Sequence, residues 1–434
     1  MPEGEPVRVV PGEGELGGIA VGLLDEHTLV EWMRPGEEHL VVPTIQWLDS
    51  DLRPAGAPVE LGLGYRIPSQ WVREGNALLA QVWATPTFDI EVRDDQWVHL
   101  WRAARPPGLP SSEPVAVDAT MTPDRLYAAI YLGLPNVQEG YQGRLPLAAG
   151  VAGTLATVGV GGPQCGTESV LRLHGFRADF PMARTLSLEE PCDIYSLAPS
   201  NPWLFNLGPD IGLAFRRGSA VEGGLVHYAR LAGDGMVVSD PVEVGGLPPH
   251  SSVDGGNQPR AVAFDGRVLF TERRGSENTC HAIRVMNDDG SGAADAPWQL
   301  PCYGWSELQR VPQRRVTASV ELVAVPGGAL LVWTEHSFIG STYITRDYPW
   351  DEGVYAVLLD RDGRRGSEVF RVTDSEATAL SPVERTEDYG PVLRELTIAA
   401  AAEDDHVAVA WYDRRSGAEG IYVRRLRIAG LTPP

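Results

Sequence analysis

The chain has 434 residues, with 58 acidic against 36 basic side chains and a formal charge of −22. None of the basic residues is a lysine, which removes Schiff-base chemistry and the phosphate-loop lysine from consideration. So acidic a surface repels nucleic acid and anionic membranes. No apolar run reaches the roughly 18 residues of a membrane-spanning helix, so neither nucleic acid nor membrane insertion is expected.

The 48 glycines and 35 prolines are scattered at turns between short apolar runs, the pattern of an all-β chain with little room for helix. In chain order, Pro6–Val10 reads as a strand. It is followed by seven modules, the first six of four strands and the last of three, at about 16–63, 66–118, 124–190, 201–245, 257–302, 315–373 and 391–428. The second strand of each module ends near Met33, Trp83, Val160, Phe215, Phe270, Trp333 and Trp411. In the third module, RLYAAIYLG (Arg125–Gly133) is taken as the first strand and Leu134–Gly150 as an insertion. In the fifth, PWQLP (Pro297–Pro301) is taken as the fourth strand. The last module is one strand short, and Pro6–Val10 can supply it. The expectation is an all-β, seven-bladed β-propeller forming a single domain over 1–434, closed by its N-terminal strand so that no sheet edge is left open. The recurring aromatics Trp83, Trp333 and Trp411 are expected to fill the space between neighbouring blades.

The clearest copy of the repeat is HVAVAWYDRRSGAEGIYVRRLRIAG, His406–Gly430. Its Trp411, Asp413, Arg415, Gly417, Ile421, Tyr422, Arg425, Leu426 and Gly430 resemble a repeat of exported bacterial propellers with sialidase-like, or BNR-type, repeats. The resemblance is weaker at Arg273–Gly275. It implies architecture and little of function. A catalytic sialidase of that group would carry a box close to S-x-D-x-G-x-T-W. The nearest segment, Ser251–Pro259, keeps Ser252, Asp254 and Gly256 but lacks the Thr-Trp ending. The match to a catalytic sialidase is therefore not close.

The four cysteines fall in two similar settings, each pair flanking two strands. This suggests disulfides Cys165–Cys192 and Cys280–Cys302, although four cysteines allow three pairings. Their spacing does not suit zinc. Paired staples imply an extracytoplasmic protein: secreted, periplasmic or at the cell surface. The segment MPEGEPVRVVPGEGE has no basic or apolar signal core, so an export signal is not expected in this chain.

Candidate ligand-binding residues gather around the loop after the sixth module's second strand: Glu335, His336, Tyr343, Asp347, Tyr348, Trp350 and Asp351. Its aromatics offer stacking area and its carboxylates can fix a polar ligand. Tyr141 and Phe88 can rim the same face. The pairs Arg216–Arg217, Arg273–Arg274 and Arg414–Arg415 follow the second strand of three modules. Arg217, Arg274 and Arg415 could bind a carboxylate or sulfate by forked hydrogen bonds, or simply pair with Glu272 and Asp413 nearby. No cofactor is expected. Calcium at the acidic turns Asp288–Asp289–Gly290, Asp360–Asp362–Gly363 or Asp404–Asp405 is the alternative to plain turn chemistry, and none fits the twelve-residue calcium loop.

No nucleophile elbow, metalloprotease motif or dinucleotide fingerprint is present. The sequence thus favours a non-catalytic binding or scaffold propeller that recognises a protein or glycan through one face. The competing readings are a glycoside hydrolase or polysaccharide lyase with a central-channel active site, and a structural component of a cell-surface assembly. A hydrolase calls for a deep central pocket with convergent carboxylates.

Overall fold

The computed structural model describes residues 2–11, 17–35, 41–60, 70–74, 77–84, 97–104, 113–115, 147–149, 155–161, 170–175, 184–187, 196–219, 225–232, 237–246, 259–274, 280–300, 314–338, 353–373, 398–413 and 419–428. Strand β1 (Pro2–Pro11) comes first. A sheet of β2 (Gly17–Leu24), β3 (His27–Pro35), β4 (Val41–Leu48) and β5 (Val59–Glu60) follows. The next sheet holds β6 (Val72–Glu74), β7 (Ala77–Ala84), β8 (Trp97–Ala104) and β9 (Glu113–Val115). Then come β10 (Leu147–Ala149), β11 (Leu155–Gly161), β12 (Val170–Gly175) and β13 (Arg184–Ser187). After these lie β14 (Ser196–Leu207), β15 (Asp210–Ser219), β16 (Leu225–Leu231) and β17 (Val237–Gly246). Another sheet has β18 (Arg260–Phe264), β19 (Arg267–Arg274), β20 (Cys280–Asn287) and β21 (Ala294–Asp295). It is followed by β22 (Arg314–Val325), β23 (Gly328–Phe338), β24 (Gly353–Asp360) and β25 (Phe370–Arg371). The final strands are β26 (Ile398–Glu403), β27 (His406–Asp413) and β28 (Gly420–Arg427). Within each sheet the strands lie in sequence order, and β1 adds itself antiparallel beyond β28 as the fourth strand of the last one.

The opening hairpins share one register, with two residues between the last paired positions: Leu24↔His27, Leu207↔Asp210, Phe264↔Arg267, Val325↔Gly328 and Glu403↔His406. Three of these turns place an aspartate at positive φ: Asp25 (54°), Asp265 (48°) and Asp404 (53°). Asp tolerates that conformation, and such two-residue turns match the twist of the flanking strands. The first strand of each sheet packs against the first strand of the next: β2 on β6, β6 on β10, β10 on β14, β14 on β18, β18 on β22 and β22 on β26. The series returns to its start where β26 meets β2. Sheets arranged radially around their first strands make a β-propeller.

The core is correspondingly divided into layers between sheets. Trp333 sits among Val262, Leu269 and Ile283 of the preceding sheet, and Trp411 among Leu330, Val332 and Ala356. Phe270 meets Trp203 and Phe205 in the same way. The layer that closes the circuit joins Ala408, Ala410 and Ile421 to Val21, Val30 and Trp32, with Val7 and Val9 of β1 packed on it. Arg425 ties this seam. It donates to Thr28 Oγ1 at 3.0 Å, to Ser50 O at 3.2 Å and to the Glu26 carbonyl. Trp333 and Trp411 thus fill inter-sheet space, as expected; the Trp83 side chain lies outside the described residues.

Two strand assignments need correction. In the third sheet the first strand is β10, inside the segment read as an insertion, and Arg125–Gly133 lies outside the described residues. A three-residue strand carries too little alternation to compete with a nine-residue apolar run in a pattern reading; its pairing with β11 is what marks it. In the fifth sheet the fourth strand is β21, before Pro297–Pro301. Leu300 of that later segment is buried as an anchor against the neighbouring sheet. No helix among the described residues is long and apolar enough to cross a membrane.

Candidate functional site

The first strands enclose a cavity of about 280 Å³ on the axis. Its wall is formed by Val21, Val72, Phe205, Val262, Val323 and Ala401, with Gln70, Trp71, Trp203, Asn206 and Glu321 among the larger polar or aromatic groups. Register explains the arrangement. Gln70, Trp203, Arg260 and Glu321 each stand at the fourth position before the last paired residue of the opening hairpin, namely Glu74, Leu207, Phe264 and Val325. They therefore share one level of the channel. The apolar belt of Val72, Phe205, Val262 and Val323 lies two residues nearer the turns.

The shared level is a connected polar layer. Arg260 Nε lies 3.3 Å from Glu321 Oε2, and its Nη2 donates to Oε1 at 3.4 Å. Both side chains are 4% exposed. The same guanidinium lies 4.4 Å from the Trp203 ring centroid, a cation–π contact. Trp203 Nε1 donates to the Ala261 carbonyl at 3.0 Å, and Gln70 Nε2 to the Leu204 carbonyl at 3.0 Å. Behind the layer, Trp71 Nε1 donates to Glu31 Oε2 at 2.7 Å, with Glu31 fully buried. At the turn end, Arg73 is bound by Asp25 at 3.2 Å and by Glu403.

Further buried acids stand on second strands. Asp413 is fully buried, and Glu272 is paired with Arg284 at 3.5 Å. A Cβ on Gly245 would come within 2.4 Å of Glu272 Oε2, so the neighbouring sheet leaves just enough room for that carboxylate.

The residues singled out in the sequence are distributed as follows. Glu335 and His336 lie on β23 opposite Thr317 and Val316, with side chains outside the described set. Tyr343, Asp347, Tyr348, Trp350, Asp351, Arg415, Tyr141, Phe88 and Ser251–Asn257 lie outside the described residues. So do Cys165, Cys192 and Cys302, while Cys280 opens β20 opposite Arg274. Arg217 and Arg274 are not loop residues. β15 runs on to Ser219 and β19 to Arg274, so both arginines take part in ladder pairing, opposite Leu225 and Cys280. The second strands are longer than their apolar cores suggest, because backbone pairing continues where the side chains turn polar. Where described, the acidic turns bond to their own backbone. Asp360 Oδ1 accepts from the Asp362 and Arg364 amides at 2.9 and 2.8 Å, and Asp289 Oδ1 from the Ser291 amide at 2.8 Å.

The polar layer itself was missed. Its members come from separate modules and share no motif, only their distance from the hairpin. Counting back four residues from each opening turn would have found them.

No protein-family model matches the chain, and no curated protein matches it. Solved structures do. An α-L-arabinanase of Penicillium chrysogenum complexed with arabinobiose is 14% identical, with a TM-score of 0.38, over 65% of this chain and 93% of that one. A Trypanosoma rangeli sialidase in complex with the inhibitor DANA is 9% identical, with a TM-score of 0.43, over 97% and 59%. The β-propeller domain of the Trilobed protease from Pyrococcus furiosus is 8% identical, with a TM-score of 0.44, over 97% and 100%. The chain thus spans a little over half of the sialidase's length. These are likenesses of fold alone.

The expectation of a non-catalytic binding or scaffold propeller is corrected at this point. The similar structures include an arabinanase and a sialidase, enzymes by name. The axis of this chain, for its part, carries a buried carboxylate held by a guanidinium. The hydrolase alternative is taken up below as a proposal.

Proposed function

We propose that the protein is a glycoside hydrolase, a single propeller domain over 1–434 whose seven sheets are blades closed into a ring by β1, with its active site in the central channel. The observation that carries this reading is Glu321 in the cavity wall, held from behind by the buried Arg260. Burying an ion pair costs desolvation that an apolar pair of similar size avoids, so such a pair is poor evidence of a stabilising device. A buried carboxylate that lines a cavity and is held by such a pair is better explained by what the cavity does. Glu321 is one of the two carboxylates that glycoside cleavage needs. Trp71, Trp203 and Phe205 supply apolar surface for sugar C–H faces, and Gln70 and Asn206 supply amide groups for hydroxyls.

The second carboxylate comes from the loop after β23. Glu335 is level with Thr317, four residues from Glu321 along β22, or about 13 Å at 3.3 Å per residue. From there the chain continues through Asp347 and Asp351 and returns at Gly353, opposite Glu335. Tyr343, Tyr348, Trp350 and His336 line the same approach in this reading, with Arg217, Arg274 and Arg415 toward its rim. The test is turnover by the purified protein of a panel of polysaccharides and aryl glycosides. Wild-type activity abolished in Glu321→Gln supports the proposal; absence of turnover across the panel refutes it.

The extracytoplasmic setting and the disulfides Cys165–Cys192 and Cys280–Cys302 belong to the same proposal. Alkylation under denaturing, non-reducing conditions should leave the intact mass unchanged, and four added alkyl groups would exclude both bridges.

A further inference from the structure

We infer that the channel site takes a neutral sugar residue and rejects sugar acids; this deepens the hydrolase reading and rests on it. The inference comes from how the cationic groups around the cavity are committed. Arg260 is held by two contacts to Glu321 and laid over Trp203, with both members of the pair almost fully buried. Arg73, at the turn end, is bracketed by Asp25 and Glu403. Among the described residues, the cavity wall itself holds no guanidinium, and its one carboxylate, Glu321, already faces Arg260; Arg217, Arg274 and Arg415 stand, in the proposed reading, at the rim, beyond that wall. An entering carboxylate or sulfate would have to displace Glu321 or sit beside it, at the cost of a second buried anion at the same guanidinium. The turns at that end add Asp25, Asp265 and Asp404, and the whole chain carries −22, so the approaching field is also unfavourable to anions. What the wall offers beyond this is neutral: the amides of Gln70 and Asn206, and the apolar surfaces of Trp71, Phe205 and Val323. These groups suit hydroxyls and C–H faces rather than a charged substituent.

The experiment uses the full chain. Aryl arabinofuranosides, galactosides, xylosides and glucosides are compared with aryl glucuronides and sialosides. Turnover confined to the neutral group, with at least a 100-fold advantage in kcat/KM, is expected. Comparable turnover of a glucuronide or sialoside overturns the inference while leaving the hydrolase reading intact. Should nothing be turned over, the hydrolase reading falls, and calorimetric titration with the free sugars decides the inference separately. Binding of a neutral sugar alone upholds it; binding of glucuronate, or of neither sugar, overturns it. Glu321→Gln leaves Arg260 without its counter-charge, so glucuronate affinity should rise at least 10-fold. The double variant R260Q/E321Q, which removes both charges, should return to the wild-type preference. A Glu321→Gln protein that is folded by circular dichroism and still ignores glucuronate counts against the assignment.

Discussion

If the Arg260–Glu321 pair serves the site rather than the fold, removing both charges should cost far less stability than removing one. Both side chains are 4% exposed, so each single substitution strands its partner in a poorly solvated wall. Arg260→Met leaves Glu321 buried without its guanidinium and also loses the stacking on Trp203, so a loss of about 3–5 kcal/mol is expected. Glu321→Met keeps the stacking but strands the guanidinium, for a loss of about 3 kcal/mol. In R260M/E321M no charge is left behind, and apolar replacement of a buried pair is often neutral or stabilising by about 1–4 kcal/mol. Against this stands the lost cation–π contact, of about 2 kcal/mol when desolvated. The double variant should therefore lie within about 2 kcal/mol of wild type, with a coupling energy of several kcal/mol between the two positions. Urea unfolding followed by tryptophan fluorescence, with the slope checked for constancy across the set, measures all four proteins. A double variant as unstable as the sum of the singles would show that the pair holds the propeller together, and the functional argument would lose its foundation.

Other consequences can be measured in the same way. Trp411→Ala empties the layer between the last two sheets, where the ring is 2% exposed, and should cost about 3–5 kcal/mol in urea unfolding; a loss below 1 kcal/mol would deny it that packing role. Gly245→Ala forces a Cβ against the Glu272 carboxylate at 2.4 Å, and a loss of about 1–3 kcal/mol is expected. The same change at Gly4, which has open space around it, should show only the smaller strain of its φ of 70°, so similar losses at both sites would contradict the contact argument. The hydrogen bond from Arg427 holds the half-buried Asp405 carboxyl below its ordinary value. A carboxylate depressed by folding favours the folded state above its unfolded value, and that contribution fades as pH falls through the lowered one. The difference in Tm between wild type and Asp405→Asn should therefore be present at neutral pH and shrink in acid; a difference that grows in acid would reverse the sign.

Much of the fold could be read before any coordinates, because a propeller repeats its local chemistry. The hairpins from β22 to β23 and from β26 to β27 turn over two residues, Pro326–Gly327 and Asp404–Asp405, so the position of each turn follows from its turn residues. The closing role of the N-terminal strand followed from a shortage: the last module had three strands and needed a fourth, and β1 meets β28 there. The reading failed where strands were short. β10 has three residues and β21 two, lengths at which alternation carries almost no information and only the partner strand defines the element. It failed again at Arg217 and Arg274, where polar side chains were taken to mean loop although the backbone was still paired.

The site was harder to read for a different reason. Gln70, Trp203, Arg260 and Glu321 are separated by up to 251 positions and lie in four unrelated local sequences. Each one looks ordinary where it stands: Glu321 reads as a polar residue on a strand, and Arg260 as a strand opener. Only radial placement turns them into one layer, because every first strand descends the axis in the same direction and each hairpin fixes its height. A mutation at one level of one blade therefore acts on residues of another blade and leaves its own sheet pairing intact. That geometry permits the chemistry to change while the scaffold persists, since no ladder hydrogen bond depends on whether Glu321 is an acid or an amide. Repeats, paired cysteines and missing linear motifs together favour a non-catalytic role in the sequence, yet a propeller has no need to write a site as a linear motif.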